Sequence, residues 1–409
     1  MGEHIGMLLE NLHVETKENT VKLIADVHSS YFGEKTVWAE IDEKYAHALT
    51  VENYNGFLVG LLYPAMYVGE DIHIKGSVSA RLLYNINHYL MAFIRTYSAR
   101  CKTIQVTADK TITDLPEKAH HIGTGYSAGV DSLCTIYDHL EKETYPQYKL
   151  DTLLFLNTGS HGEFSKSTTE PKFHTRFEYL KQTAPLPFIA LNTNIHQFHE
   201  FFPDSHQKTV TFTNIAGILT IEKYFAKYYI ASSMSYREAI QFGKKRLDIS
   251  TEAFDPILLP LLSTETLEFI ADGQQYTRSQ KVQRIADYSL ARQALNVCVN
   301  GAERTAQNCS HCEKCLRTLM TLDSLDKLKE FSTVFDLQTY SKYAFKYRCK
   351  QRLLYYSNPF AHDNISCASY HNRQVPSLIM SLIVCSPNIV KSMIKQILRP
   401  LLKNDKHNQ

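Results

Sequence analysis

Residues 127–132 read Ser-Ala-Gly-Val-Asp-Ser, and Leu133, Ile136 and Leu140 follow at helical spacing. Residues 120–126 before them read as a strand, so the stretch is a strand, a tight turn of small residues and a helix. Working outward, short apolar runs at 152–156, 188–191 and 228–231 read as further strands, with a helix near 213–227 before the last. Strands alternating with helices predict an α/β fold, a parallel sheet covered on both faces. In such sheets ligands bind beyond the carboxyl ends of the strands, and the first strand-to-helix loop supplies phosphate contacts.

The loop has the composition for that role. A turn built from Ser127, Ala128 and Gly129 can aim backbone N–H groups inward, Ser127 and Ser132 add hydroxyl donors, and a helix starting near Asp131 adds its positive end. Bulky side chains would displace the phosphates. No Gly-Lys-Ser/Thr follows, so this is not a Walker A loop, and γ-phosphate transfer by that arrangement is disfavoured. The plain alternative for six small and polar residues is an ordinary surface turn ahead of a helix.

About 170 residues downstream stand Cys298 and then Cys309-Ser-His-Cys312-Glu-Lys-Cys315. Three thiols in one turn-and-helix segment plus a fourth across a loop containing Gly301 have the type and spacing of a closed, tetrahedral structural Zn²⁺ site. His311 is an alternative ligand, and an iron–sulfur cluster is the main rival. Lys314 and Arg317 stand where they would help keep the thiols deprotonated, or else mark a solvated helix face.

The chain has 409 residues, 44% of them hydrophobic, enough for a substantial core and two to three domains. Its 44 lysines and arginines balance 42 acidic residues, so no global charge argues for nucleic acid. Nine cysteines, an odd number with four gathered together, suit a reducing compartment and metal binding better than a disulfide framework. The start Met1-Gly-Glu-His-Ile-Gly6 lacks the marks of a secretory signal or a myristoylation site, and a cytoplasmic protein is expected. Apolar runs at 57–63 and 378–385 fall far short of the roughly 20 residues that span a bilayer.

Residues 1–118 have their own pattern. Val21, Leu23, Ala25 and Val27 alternate, as do Val37, Ala39 and Ile41, and Ile72 and Ile74 flank His73, all reading as half-buried strands. Leu82, Leu83, Ile86, Tyr89, Leu90, Phe93 and Ile94 repeat at helical spacing, and residues 104–108 return to alternation. A small α+β accessory domain over 1–118 is expected, with the boundary in 109–118, then a domain over 119–323 and an extension over 324–409. That extension reads as mixed helix and loop, with an aromatic basic stretch at 343–356, a polar interval at 358–374 and an amphipathic helix after Ser386-Pro387 carrying Ile389, Ile394, Ile397, Leu398 and Leu401 on one face.

The loop resembles the Ser-Gly-Gly-x-Asp-Ser loop of the N-type (PP-loop) ATP pyrophosphatases. With the Cys-x(about 8–10)-Cys-x-x-Cys-x-x-Cys cluster on its C-terminal side, the stretch from His120 to Leu322 is similar to 7-cyano-7-deazaguanine synthase and its relatives. That covers about half the chain. Supporting segments are Asn214, read as opening a helix, residues 229–231 running into Ser232-Ser-Met-Ser-Tyr236, and Leu259-Pro-Leu-Leu-Ser before Arg278 and Lys281. Their motifs are weak singly; their order carries the likeness. The departures are Ala128 in place of the second glycine, where alanine disfavours positive φ, and a more polar first strand.

The resemblance implies an adenine-nucleotide alpha-hydrolase-like (Rossmann-like) domain with a zinc-binding segment. It implies cleavage of ATP between the α and β phosphates, adenylation of a carboxylate, and displacement of AMP by ammonia or another amine. Ser127, Ala128, Gly129, Val130, Asp131 and Ser132 would hold the pyrophosphate and Mg²⁺, with Asn157, Thr158 and Gly159 beside the adenosine. Asp131 would position metal or hydroxyl, and Lys281 and Arg278 would neutralise charge on the phosphates. Ser233, Ser235 and Tyr236 would line the substrate pocket, with His161 and His174 as acid–base candidates. The added segments point to a redirected acceptor: a small-molecule carboxylate, a modified nucleotide precursor in a defence or biosynthetic operon, a saccharide or a protein. Two other functions fit the same residues. One is a sulfur-transferring nucleotide modifier using Cys134 or Cys349. The other is a non-catalytic, zinc-stabilised ATP-binding scaffold that docks a partner protein.

Overall fold

In the computed structural model, which describes residues 6–115, 119–159, 169–200, 205–245, 250–298 and 308–386, the strands foreseen on both sides of residue 118 join one sheet. With β1 and β10, for which the sequence carried no expectation, the strands are β1 (Met7–Lys17), β2 (Thr20–Ser29), β3 (Gly33–Asp42), β4 (Ile72–Ser79), β5 (Val106–Ile112), β6 (His121–Gly125), β7 (Thr152–Asn157), β8 (Phe188–Thr193), β9 (Phe225–Ala231) and β10 (Glu268–Asp272). Their order is β10-β9-β6-β7-β8-β3-β2-β1-β4-β5, mostly parallel. The alternating residues of the N-terminal segment have their odd positions inside: Val21, Leu23, Ala25 and Val27 of β2 and Val37, Ala39 and Ile41 of β3 are buried.

β6 to β10 are parallel neighbours with β6 in the middle. The chain moves outward through β7 and β8 on one side, then crosses to β9 and β10 on the other. The switch in direction lies between β6 and β9, where an α/β sheet opens a crevice beyond its carboxyl ends.

The expected boundary at 118/119 does not coincide with a break in the sheet. β3 pairs antiparallel with β8 through Ala39↔Thr193, Glu40↔Asn192 and Ile41↔Leu191, and Trp38 N–H donates to Asn194 Oδ1. The chain divides instead into two compact units, Met1–Tyr276 and Thr277–Gln409. Alternation in a sequence tells which face of a strand is buried but not which strand lies beside it.

Helix α1 (Asn55–Val68) contains the apolar run at 57–63. It is apolar all round and buried from Asn55 to Met66, as expected of a helix inside a core, and ends at Gly69 in the left-handed conformation (φ 87°). It packs on α6 (Ser205–Leu219), and the two share one core with β1–β3 and β7–β9. The expected helix at 77–97 is α2 (Ala80–Asn85) and α3 (Met91–Tyr97) joined by a π-helical turn, with Leu82, Ile86, Leu90 and Ile94 buried. The helix expected near 213–227 lies earlier, as α6, and residues 225–227 already belong to β9. Its start is rich in β-branched residues, which weakens helix propensity, but burial of Val210, Phe212, Ile215, Ala216 and Leu219 decides for helix. Asn214 therefore lies within α6 rather than opening it. The first unit also holds α4 (Val130–Ile136), α5 (Thr169–Lys181), α7 (Tyr236–Lys245) and α8 (Asp255–Leu262), which contains Leu259-Pro-Leu-Leu262.

The second unit is helical: α9 (Arg278–Ile285), α10 (Ser289–Ala294), α11 (Glu313–Ser324), α12 (Leu337–Leu354) and α13 (Pro359–Tyr370). The polar interval at 358–374 is mostly α13. Asn358 caps it, accepting from the N–H groups of Phe360 and Ala361, and Pro359 takes the first helical position. Ala361, Asn364, Ile365 and Ala368 form its buried stripe. The helix foreseen over 387–401, His161, Gly301 and the end of the expected boundary at 116–118 lie outside the described residues.

A β-carbon on Gly56 would lie 2.6 Å from the Ala216 carbonyl oxygen in α6. Helix propensity alone would make Gly56→Ala stabilising by about 1 kcal/mol, whereas the close approach makes it destabilising by about 1–3 kcal/mol. The sign, read from the urea midpoint of the whole chain, checks the α1–α6 packing.

Candidate functional site

β6 ends at Gly125, and Tyr126 carries the ladder one step further by donating its N–H to the Leu154 carbonyl (3.0 Å). The turn follows at once. Ala128 is fully buried with φ 56°, the left-handed conformation an L-residue resists, and Gly129 is the N-cap of α4. The expected conflict between alanine and a positive φ is therefore real, and alanine adopts the turn anyway. Ser132, buried in the first turn of α4, gathers the loop around its hydroxyl: Oγ accepts from Ser127 N–H (3.4 Å), meets Ser127 Oγ at 3.2 Å and donates to the Gly129 carbonyl (3.2 Å). Gly129 N–H donates to Ser127 Oγ (3.3 Å), and Ser127 itself is exposed. Val130 is buried beneath the turn and Asp131 is half-buried on the first turn of α4. A first helical turn leaves backbone N–H groups without intrahelical partners, which is the electrostatics an anion needs.

Because β6, β7 and β9 are parallel, the residues following them share one edge of the sheet. Asn157 closes β7, almost wholly buried, and donates through Nδ2 to Asn192 Oδ1 at the end of β8 (2.7 Å). Thr158 Oγ1 donates to Asn214 Oδ1 (2.6 Å), which ties the end of β7 to α6. After β9 come Ser233, whose hydroxyl donates to Glu252 Oε2 (2.9 Å), and Ser235, whose N–H and hydroxyl both donate to Glu238 Oε2 (2.7 and 2.9 Å). Tyr236 is half exposed at the start of α7. The 127–132 loop, Asn157 and Ser233 thus converge on the carboxyl edge from three separate strands.

Several residues at this edge carried no sequence signal. Arg176 of α5, 5% exposed, donates from its guanidinium to the Ser127 carbonyl (3.0 Å). Asp272, last in β10, accepts from Thr135 Oγ1 of α4 (2.6 Å) and lies 3.0 Å from Nε2 of His139, on the π-helical turn that continues α4. His139 stacks on Tyr229, ring centroids 3.8 Å apart. Asp255 accepts from Thr211 Oγ1 (2.8 Å). Burial, then the neighbouring Glu252 charge, pushes its carboxyl well above the usual carboxylate range. These partners are 40 to 140 positions apart, where no motif connects them.

The sulfurs of Cys298, Cys309, Cys312 and Cys315 all lie within 4.8 Å of one another. Cys312 caps α11, its N–H donates to Cys309 Sγ (3.3 Å), and Cys309 and Cys315 sulfurs are 3.9 Å apart. Ser310 turns the chain between them with φ 59°. Asn308 holds the segment carrying Cys298 in place by accepting the N–H groups of Val297 and Cys298. A tetrahedron of Zn–S bonds of about 2.3 Å spaces its sulfurs about 3.8 Å apart, so the four could hold such an ion. An iron–sulfur cluster divides its four thiolates among two or four irons and so holds at least some of the sulfurs farther apart. Without a cation, burial favours the neutral thiols over the thiolates that a metal needs. Burial, then the Cys312 thiol, pushes Cys315 far up, and burial also raises Cys309. A divalent cation reverses that balance. His311 is exposed, bonded through Nδ1 to the Cys309 carbonyl rather than joining the sulfurs. Arg317 lies over the Phe360 ring at 4.1 Å, and Lys314 is exposed.

Of the remaining candidates, Lys281 is buried within α9 at 1% exposure and Arg278 is half-buried at its start, so Lys281 does not lie on an exposed helix face. Both belong to the second unit. His174 is exposed on α5. Cys134 and Cys349 are buried in α4 and α12. Among the described residues no helix is long and apolar enough to cross a membrane.

No family model matches the chain, and comparison with curated proteins and with solved structures finds no match either.

The purified chain is expected to carry about one zinc per molecule by elemental analysis, and Cys315→Ser to lose the metal with a stability cost on the order of several kcal/mol. Stoichiometric iron with a visible absorption band would replace zinc with a cluster.

Proposed function

We propose that the chain is an ATP-dependent ligase of the PP-loop pyrophosphatase type, which activates a carboxylate as its acyl-adenylate for attack by ammonia or an amine. The observation that carries this reading is the 127–132 loop. It follows β6 at the β6/β9 switch point, opens α4, folds through a left-handed turn at Ala128 and draws its hydroxyls together on Ser132.

In the first step a carboxylate oxygen of the acceptor attacks the α-phosphorus of ATP. The bond from that phosphorus to the α,β-bridging oxygen breaks, and pyrophosphate leaves with the electron pair. The chain's part is to hold the pyrophosphate: the exposed Ser127 hydroxyl and the backbone N–H groups of the first turn of α4 would meet the charge that builds on the leaving group, and the Ser132 hydroxyl and Gly129 N–H would exchange their bonds within the loop for bonds to it. Mg²⁺, when bound with the nucleotide, neutralises phosphate charge, and Asp131 with the two serine hydroxyls offers the hard oxygen donors it prefers. Asn157 and Thr158 stand at the next strand end, where the nucleoside would extend. In the second step the amine nitrogen attacks the acyl carbon, AMP leaves, and the nitrogen gives up its proton. Ser233, Ser235 and Tyr236 are the proposed lining of the acceptor pocket, and a small carboxylic acid of the 7-deazaguanine kind or a protein carboxylate is the proposed acceptor.

Sulfur transfer is the less favoured chemistry, because a persulfide carrier must be reached by donor and acceptor and Cys134 and Cys349 are 1% and 0% exposed. The four clustered thiols are proposed to close the second unit around zinc and to take no part in the reaction.

Incubation with ATP, Mg²⁺, ammonium and a panel of carboxylates, 7-deazaguanine acids included, is expected to yield AMP and pyrophosphate in equal amounts. Asp131→Asn should slow this about a hundredfold. Formation of ADP and phosphate without AMP would overturn the reading, and tight ATP binding with no turnover would turn it into a nucleotide-sensing scaffold.

A further inference from the structure

The left-handed turn at Ala128 needs support from outside the loop. A residue with a β-carbon in this conformation carries a cost of roughly 1–2 kcal/mol, and it persists only where its surroundings over-determine it. Within the loop the hydrogen bonds to Ser132 run at 3.2–3.4 Å, the long end of the range, so they do not fix the turn by themselves.

The support comes from α5. Arg176 is buried and its guanidinium donates at 3.0 Å to the carbonyl of Ser127, the peptide group that leads directly into Ala128. A charge-assisted bond to that oxygen sets the orientation of the Ser127–Ala128 peptide plane, and with it the φ of Ala128. The guanidinium is itself held, lying 5.3 Å from the Tyr179 ring centre one turn along α5. A second tie runs parallel to it: Tyr126, the residue before the loop, bonds through its hydroxyl to Thr183 Oγ1 just past the end of α5 (2.8 Å). Tyr126 is buried, and its ring meets Phe188 edge to face at 5.5 Å. The end of β6 and the first peptide of the loop are thus both fastened to the same helix.

We infer that Arg176 is a positioning residue that latches the Ser127 carbonyl toward α5, holds Ala128 in its left-handed conformation and so keeps the loop's N–H groups facing the phosphate side. The inference rests on the proposed nucleotide role of the loop for its function, but the latch itself is a property of the unliganded chain. It also accounts for alanine standing at the turn: where a glycine would reach this conformation freely, alanine reaches it because α5 holds it there.

Two measurements on the full-length chain separate the latch from the nucleotide reading. The first is hydrogen exchange of the peptide covering residues 126–133, with no ATP present. Arg176→Met should raise its exchange about tenfold over the wild type while the thermal midpoint of the chain stays within a few degrees, and Arg176→Lys, which keeps the charge without the planar fork, should fall between the two. Should Arg176→Met fail to fold, the Arg176→Lys comparison carries the test. The second is a double-mutant cycle with Ala128→Gly, read as the KM for ATP in AMP formation and as ATP affinity by direct titration. Arg176→Met alone should raise KM about tenfold with kcat changed less, and in the Ala128→Gly background its effect should shrink to about threefold or less, because the turn no longer needs forcing. Unchanged exchange in both Arg176 variants overturns the latch, and so does strict additivity of the two substitutions, which would mean that Arg176 acts on the phosphates directly or only through general stability. If the wild type neither binds nor cleaves ATP, the proposed function fails while the exchange result still decides the latch.

Discussion

The parallel pairing of β6 with β9, Gly123 beside Tyr228 and Thr124 beside Tyr229, is the constraint on which the site depends. Two parallel strands that are neighbours in space but separated in the chain by β7 and β8 force the helices that follow them to opposite faces, and the loops between strand and helix part at that point. The pairing is tight because Gly123 has no side chain: a β-carbon there would sit 2.4 Å from the Phe225 ring. Thr124, fully buried, adds a bond from its hydroxyl to the Tyr229 carbonyl (2.9 Å). With this seam closed, the 127–132 loop on one strand and Ser232 to Tyr236 on the other lie at the same level of the sheet.

A second seam, β3 against β8, makes the N-terminal 115 residues part of the same body as the loop. β8 is the outer strand of the β6–β10 group, and without β3 its edge and the apolar faces of α1 and α6 would be open. The N-terminal strands therefore complete a core as well as adding a segment. Gly56 and Gly60 of α1 show how close the fit is, since each sits where a β-carbon would touch α6 or Ile195.

Much of this was legible from residue order. Alternation located β2, β3, β4 and the start of β5, and helical spacing the stretch from Ala80 to Tyr97, because each buries one face, whereas β7, β8 and β9 stood out as short apolar runs and β6 by its place before the loop. The cysteine spacing was legible for a similar reason: Cys309, Cys312 and Cys315 lie within one turn and one helical step, a local geometry that does not need the rest of the fold. The small residues of the loop were legible because a tight strand-to-helix turn leaves little room for side chains. Less was visible where long-range burial overrode local preference. α6 is made of residues that favour strand, and α13 was hidden by its polar composition although Asn358-Pro359 is a helix start in itself. Arg176 and Asp272 had no signal at all, because each gains its place only when α5 and β10 come beside the loop and its helix.

The sequence by itself therefore determined the α/β class, the position and composition of the loop at the end of the first strand of a parallel group, and the four thiols that meet. These depend on neighbours within about one element, where spacing is geometry. Only the tertiary structure decided that one sheet runs through both halves of the first unit, that the switch point falls between β6 and β9, and that Ala128 is left-handed with Arg176 bonded to the peptide before it. Those facts depend on residues brought together by burial across tens to hundreds of positions. Which strand lies beside which, and which buried cation meets which carbonyl, is set by packing the whole core at once.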